Sequence, residues 1–270
     1  MLTAEELQCQ DLKPERENMK SSFLNQEKSI LTVMLQCETP ETAIGRIRNA
    51  NAQGAEAFGL QVESLKPEYQ TPEVIKRIFS EMEGKPIYVT NYRSANNNGK
   101  TDEELAEGLV NLAKNGATLC DVMGDMFSKH PEELTDNPKA IDKQIKLIEE
   151  IHKNGAEVLM SSHICKFTPA ERVLEVALEQ KRRGADVIKI VTGAENMEQQ
   201  IENLRITQLL KEKLGCPFLF LSGGESAIHR RLGWRFGSSM ILCVYEHDAL
   251  STKPQPLLSV MKKIRDNLGF

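Results

Sequence analysis

Apolar and polar positions along the chain fall into one repeated arrangement. A helical stretch with a single apolar stripe ends at a glycine, and a short run that is apolar on both alternating faces follows at once. The junction recurs at Gly54, Gly84, Gly116, Gly155, Gly184 and Gly215, with 29 residues between the closest pair (Gly155 and Gly184) and 39 between the most distant neighbours (Gly116 and Gly155). Glycine just past a helix end tolerates the left-handed conformation that other residues adopt at a cost, and the basic residues before several of these glycines suit the negative end of a helix. One period therefore holds one strand and one helix. Helix starts fall where that period places them. Thr39-Pro40, Thr71-Pro72, Asn137-Pro138 and Thr168-Pro169 each set a capping side chain before a proline whose missing N–H is harmless in the first turn. Thr101 with Glu104, and Thr168 with Glu171, fit a capping box. Leu105/Leu109/Leu112 and Ile141/Ile145/Ile148 recur at helical spacing, one stripe per helix.

The apolar runs at 87–91, 158–161, 187–191, 218–221 and 240–245 carry no polar face, as parallel strands covered by helices require. Counting 31–35 first, eight strands alternate with eight helices. This predicts a (β/α)₈ TIM barrel over residues 30–270, in preference to an open doubly wound sheet, because no Gly-x-Gly-x-x-Gly follows the first strand. Residues 1–29, charged and weakly periodic, are expected to form an N-terminal extension.

Composition narrows the partners. With 34 Lys+Arg against 39 Asp+Glu the formal net charge is −5, and no long basic cluster offers the surface that nucleic acid needs. The six cysteines are scattered without metal-ligand spacing and read as reduced thiols of a cytoplasmic protein. Neither a secretory leader nor a run long enough to span a membrane is evident in the sequence, and no metal site is expected. His130, His152 and His247 read as surface residues.

Barrel active sites lie at the C-terminal ends of the strands. In Asp186-Val187-Ile188-Lys189-Ile190-Val191, Lys189 shares a face with Val187 and Val191, so it projects into the lumen. Loss of hydration there favours a neutral, nucleophilic amine able to form a Schiff base; a paired carboxylate is the structural alternative. His163 ends the preceding strand just under one period earlier, at a similar height, and suits proton transfer beside an imine. Arg93, Arg230 and the polar loop 251–255 lie at other strand ends, where arginines match a carboxylate. Lys189, Arg93 and Arg230 would make the pocket locally basic and suited to a small anionic carbonyl substrate.

These segments together resemble the type I 3-dehydroquinate dehydratases, Schiff-base-forming (β/α)₈ lyases of the shikimate pathway, from about Leu31 to the C-terminus. Tyr92-Arg93-Ser94-Ala95 is similar to the family's Phe-Arg-Ser segment. Met160-Ser161-Ser162-His163 resembles the strand ending in the catalytic histidine, and Val187-Ile188-Lys189-Ile190 the strand bearing the imine lysine. Ile228-His229-Arg230 with Phe236-Gly237-Ser238 resembles the Ile-Ser-Arg and Phe-Gly-Ser pair, and Ser251 to Gln255 the substrate-covering loop. The resemblance implies catalysis by Lys189 and His163, substrate contacts from Arg93, Arg230, Ser251, Gln255 and Gln61, no cofactor, and a homodimer. The chain also departs from the pattern. Gly59-Leu60-Gln61 stands where the family has Glu-x-Arg, Asn97 where a glutamate orients the histidine, and Met123 where an acid sits on the fourth strand; the glycine-rich segment before Arg230 is one residue shorter. Two other readings are compatible with the residues. Lys189-Ile190-Val191-Thr192-Gly193 with Ser222-Gly223-Gly224 resembles a Schiff-base aldolase, although Phe218-Leu219-Phe220-Leu221 lacks that family's second lysine, and the changed second strand would also suit a metabolite-binding barrel without catalysis.

Overall fold

A computed structural model describes residues 21–24 and 26–268; the first twenty residues of the expected extension lie outside the described residues. Eight strands alternate with eight helices: β1 (Ile30–Leu35), α1 (Pro40–Ala52), β2 (Ala57–Gln61), α2 (Pro72–Ser80), β3 (Ile87–Thr90), α3 (Asp102–Lys114), β4 (Leu119–Met123), α4 (Pro138–Lys153), β5 (Glu157–His163), α5 (Ala170–Arg182), β6 (Val187–Ala194), α6 (Met197–Lys213), β7 (Phe218–Gly224), α7 (Ala227–Leu232), β8 (Met240–Cys243) and α8 (Leu258–Asn267). Neighbouring strands pair in parallel in the order β7-β6-β5-β4-β3-β2-β1-β8. The seam between β7 and β8 has no ladder. The Ser239 N–H donates to the Phe218 carbonyl (2.8 Å) and the Phe220 N–H to Ser238 Oγ (3.1 Å), which draws the barrel nearly closed.

The six junction glycines all take positive φ, from 64° at Gly215 to 114° at Gly116. Thr39, Thr71 and Asn137 accept first-turn N–H groups, and Thr101 and Glu104 form the reciprocal box. The box expected of Thr168 and Glu171 does not form. Pro169 occupies the cap of α5, and the Thr168 hydroxyl donates to the Lys166 carbonyl at 3.0 Å, a local side-chain to backbone bond that competes with capping. Strands β5, β6 and β7 run two or three residues further toward the mouth than the apolar runs suggest, because ladder pairing continues through Ser162, His163, Thr192 and Gly223 although those residues are not apolar.

Alternation divides the apolar residues in two. Residues such as Ile188 and Ile190 join the large layer between strands and helices, whereas Val187, Leu119, Leu159 and Leu219 fill the lumen. Phe23, only 1% exposed, belongs to the lumen cluster and packs with Ile30, Ala57 and Met240 from the strand starts. Its N–H donates to Glu157 Oε2 at 3.1 Å, and Ser22 Oγ donates to the other carboxylate oxygen. The chain before β1 thus closes the barrel floor. Truncating Phe23→Ala removes a fully buried ring and leaves a void, and should lower the unfolding free energy by about 3–5 kcal/mol. Chemical denaturation measures this, and a loss under about 1 kcal/mol would show that the floor is not sealed by this ring.

Candidate active site

The lumen face of β6 carries Val187, Lys189 and Val191, as its alternation predicts. Lys189 is 4% exposed, and its Nζ meets three acceptors: Tyr92 Oη at 2.8 Å, Tyr88 Oη at 3.0 Å and Asp121 Oδ2 at 3.0 Å. Three acceptors match the three N–H bonds of an ammonium. The lysine is therefore partnered by a carboxylate, and one of its protons must leave before the nitrogen can attack a carbonyl. Asp121, on the lumen face of β4, also accepts from Tyr88, from Tyr92 (2.5 Å) and, through Oδ1, from Ser161 Oγ (2.5 Å). Burial and the Asp121 charge push both phenols well above their ordinary pKa, so they remain donors.

His163 stands opposite Val191 across the β5–β6 ladder, and Ser161 stands opposite Lys189. The histidine is thus two residues closer to the mouth than the lysine, roughly 6–7 Å along the strand, and not level with it. Its Nδ1 lies 2.7 Å from Glu133 Oε2, and its backbone N–H donates to the same oxygen at 2.9 Å. Burial alone would raise the Glu133 pKa, but the hydrogen bond and charge of His163 outweigh it and hold the carboxyl below its ordinary range. With a carboxylate on Nδ1, that nitrogen carries the hydrogen and Nε2 is the basic one. The Tyr92 ring stands edge-on to the imidazole at 5.4 Å. Glu133 comes from the loop between β4 and α4, at a left-handed φ of 47°. Asn97, at the position where the family's glutamate orients the histidine, turns away: its Nδ2 donates to Asn91 Oδ1 (2.7 Å) and the Tyr92 carbonyl (3.1 Å). Replacing Glu133→Gln should lower kcat about 10- to 100-fold with a smaller effect on KM, the scale of a hydrogen bond to a charged group. Steady-state kinetics check it, and an unchanged kcat would remove Glu133 from the account.

A cleft of about 740 Å³ opens above these groups, walled by Tyr92, Arg93, Met123, His130, Glu133 and His163 among others. His130 is therefore part of the cleft wall rather than simply a surface residue. Of the three cations read as converging on an anion, two already have carboxylate partners. Lys189 has Asp121, and Arg93 is bidentate to Asp102 (2.6 and 2.7 Å) while also donating to Asp125 Oδ1 (2.7 Å) and the Asp125 carbonyl (2.9 Å). These bonds occupy four of its five N–H groups and raise its pKa despite partial burial. Arg230 differs. Its Nε donates to the Ser222 carbonyl at 2.5 Å, no carboxylate among the described residues faces it, and burial pushes its pKa down to about 10.

Across the mouth, Gln36 Nε2 donates to Gln61 Oε1 (3.1 Å) and to Thr252 Oγ1 (2.7 Å), tying β2 to the loop after β8. Ser251 is engaged in a turn with Asp248, and Gln255 is buried with its Oε1 lacking a partner among the described residues. A side chain at Gly59 would force Met34 to move: a Cβ there would lie 2.3 Å from Met34 Sδ and 3.0 Å from the Tyr88 ring. Met34 and Tyr88 occupy the lumen space beside Gly59.

Sequence reasoning missed Asp121, Tyr88 and Glu133. Asp121 carried the same signal as Lys189, a charged residue on the lumen face of a buried strand. Glu133 had none, since an irregular loop has no periodicity to read. Among the described residues no group of three or more His, Cys, Asp or Glu side chains is placed to hold a metal ion, and no helix is long and apolar enough to cross a membrane.

A nearly closed eight-stranded barrel, with a buried lysine on β6 and a carboxylate-held histidine at the end of β5, defines a protein of the (β/α)₈ class with a cleft at its mouth. The sequence matches the type I 3-dehydroquinase family over residues 31–269, and the chain belongs to that family. It is 32% identical to the 3-dehydroquinate dehydratase of Listeria monocytogenes serotype 4a over 161 residues, which cover 57% of this chain and 58% of the relative. It is 36% identical to the enzyme of that name from Alkaliphilus oremlandii over 97 residues, 35% of this chain and 38% of the other. The aligned stretches thus span less than two thirds of those relatives. The fold is like that of the type I 3-dehydroquinate dehydratase of Clostridium difficile, with a TM-score of 0.75, 16% identity and coverage of 91% of this chain and 94% of that one. The Enterococcus faecalis 3-dehydroquinate dehydratase gives 0.72, 17%, 91% and 98%.

Proposed function

We propose that this protein is a cofactor-independent hydro-lyase that dehydrates 3-dehydroquinate, or a closely related cyclic carbonyl acid, through an imine on Lys189. The observation that carries the reading is a buried lysine ringed by proton-bearing groups, two strand positions below a histidine whose Nε2 is free to act as a base. Once deprotonated, Nζ attacks the ketone and water leaves, giving an iminium. This cation acts as an electron sink for the carbanion formed when His163 removes the proton α to it. The electrons then expel the β-hydroxyl, which takes a proton from His163, and water hydrolyses the imine. Arg230, lacking a carboxylate of its own, would bind the substrate carboxylate; Gln255 Oε1 and the Gln61 amide would meet hydroxyls; Ser251 closes the loop over them. Arg93 has one N–H left for the substrate and serves chiefly to brace the cleft wall.

Dehydration of a β-hydroxy ketone yields a conjugated enone. Purified protein incubated with 3-dehydroquinate should therefore develop ultraviolet absorbance at a protein-dependent rate. Absence of any rise would reject this substrate, and an imine with a different carbonyl acid would keep the chemistry while reassigning the substrate. We also propose that the protein acts in the cytoplasm as a homodimer. Support for the compartment comes from Cys37, Cys165, Cys216 and Cys243, none of which is in a disulfide among the described residues. A monomer in sedimentation would overturn the assembly.

A further inference from the structure

We propose that the Tyr92 hydroxyl is a catalytic residue of imine formation, carrying protons between Lys189 Nζ, the Asp121 carboxylate and the carbinolamine oxygen; this rests on the lysine-imine reading above. Nζ has three partners, and two of them are sealed in the lumen. Tyr88 and Asp121 are 0% and 1% exposed, whereas Tyr92 is partly exposed and forms part of the cleft wall. Its hydroxyl is 2.8 Å from Nζ and 2.5 Å from Asp121 Oδ2, so one oxygen bridges the nucleophile and the buried base on a residue whose side chain walls the cleft. The residue is also held in place. The buried Glu63 carboxylate accepts the Tyr92 N–H at 3.4 Å and the Thr90 hydroxyl at 2.9 Å, and the ring packs edge-on to His163. The family segment that Tyr92-Arg93-Ser94 resembles has phenylalanine here, so the hydroxyl is a feature of this chain.

The proton path balances. An Nζ–H passes to the Tyr92 oxygen while the phenol passes its own hydrogen to Asp121, converting the ammonium–carboxylate pair into an amine and a carboxylic acid. The amine lone pair forms the C–N bond, and the carbonyl π electrons move to oxygen. A second Nζ proton shifts to that oxygen, giving the neutral carbinolamine. Asp121 then returns its proton through Tyr92 to the carbinolamine hydroxyl. The C–O bond breaks, water departs, and the nitrogen lone pair forms the C=N bond of an iminium whose charge faces the restored Asp121 carboxylate. Asp121 is buried in the lumen, so delivery to a hydroxyl on the cleft side would run through Tyr92.

The test uses Tyr92→Phe, which keeps the ring and its contact with His163. Protein is mixed rapidly with 3-dehydroquinate, quenched with borohydride at set times and weighed intact, so the rate of adduct formation is read directly. We expect Tyr92→Phe to form the adduct at least about 100-fold more slowly than wild type, the scale of positioned acid–base catalysis. Tyr88→Phe, which loses a hydroxyl sealed off from the cleft, should slow it by a smaller factor. In Tyr92→Phe the kinetic isotope effect from deuterium at the substrate's α carbon should also fall toward unity, as imine formation becomes limiting. Adduct formation at the wild-type rate in Tyr92→Phe, or an equal effect of the two substitutions, overturns the inference and leaves the imine intact. No adduct in wild type overturns the imine reading itself.

Discussion

Lys189→Ala abolishes the borohydride-trapped adduct and lowers turnover by roughly 10⁴-fold or more, because covalent catalysis has no substitute for its nucleophile. The substitution has a second, separable effect. It leaves Asp121, whose side chain is 0% exposed, without its counterion, and orphaning one partner of a buried ion pair costs about 3–5 kcal/mol. A loss of activity in the single variant could then be blamed on unfolding. Combining Lys189→Ala with Asp121→Asn removes both charges, while Tyr88, Tyr92 and Ser161 can still hydrogen-bond an amide. The double variant should recover most of the lost stability and none of the turnover. Thermal denaturation and the absorbance assay together read this, and recovery of activity with stability would show that the lysine is structural.

His163→Ala lowers kcat by about 10²- to 10⁴-fold, the range for removal of a positioned general acid–base, and changes which adduct is trapped. If the imine forms through Lys189, Tyr92 and Asp121, it still forms without the imidazole, but the α proton stays on the substrate. Borohydride should then trap only the hydrated adduct. Wild type should give a mixture that includes the species lighter by one water. A dehydrated adduct in His163→Ala would assign proton abstraction to another group.

The barrel was legible because its signals are local. A glycine past each of the first six helices and a strand apolar on both faces are decided by backbone geometry and burial, whichever strands become neighbours. Lys189 was legible for the same reason, as a charge where alternation demanded an apolar residue. Its partners depended on the lateral ladder. Whether Asp121, Tyr88 or Met123 stands nearest Nζ is fixed by the stagger of β3, β4, β5 and β6, and one strand's pattern says nothing about stagger. That same stagger set His163 above the lysine instead of beside it. Glu133 illustrates a harder limit, since the carboxylate that holds His163 comes from an irregular loop, and no periodic pattern marks it. Gly59 was visible as a departure from the family, but the neighbours that face it across the ladder, Met34 and Tyr88, were not.

An imine between Lys189 and a cyclic carbonyl acid underlies the whole of the proposed reaction. Its most direct test is borohydride reduction of the wild-type protein with 3-dehydroquinate, followed by intact mass and peptide mapping. Wild-type protein should carry one reduced adduct per chain, located on Lys189. An adduct on another lysine, or an unmodified protein that nevertheless turns over the substrate, would contradict it.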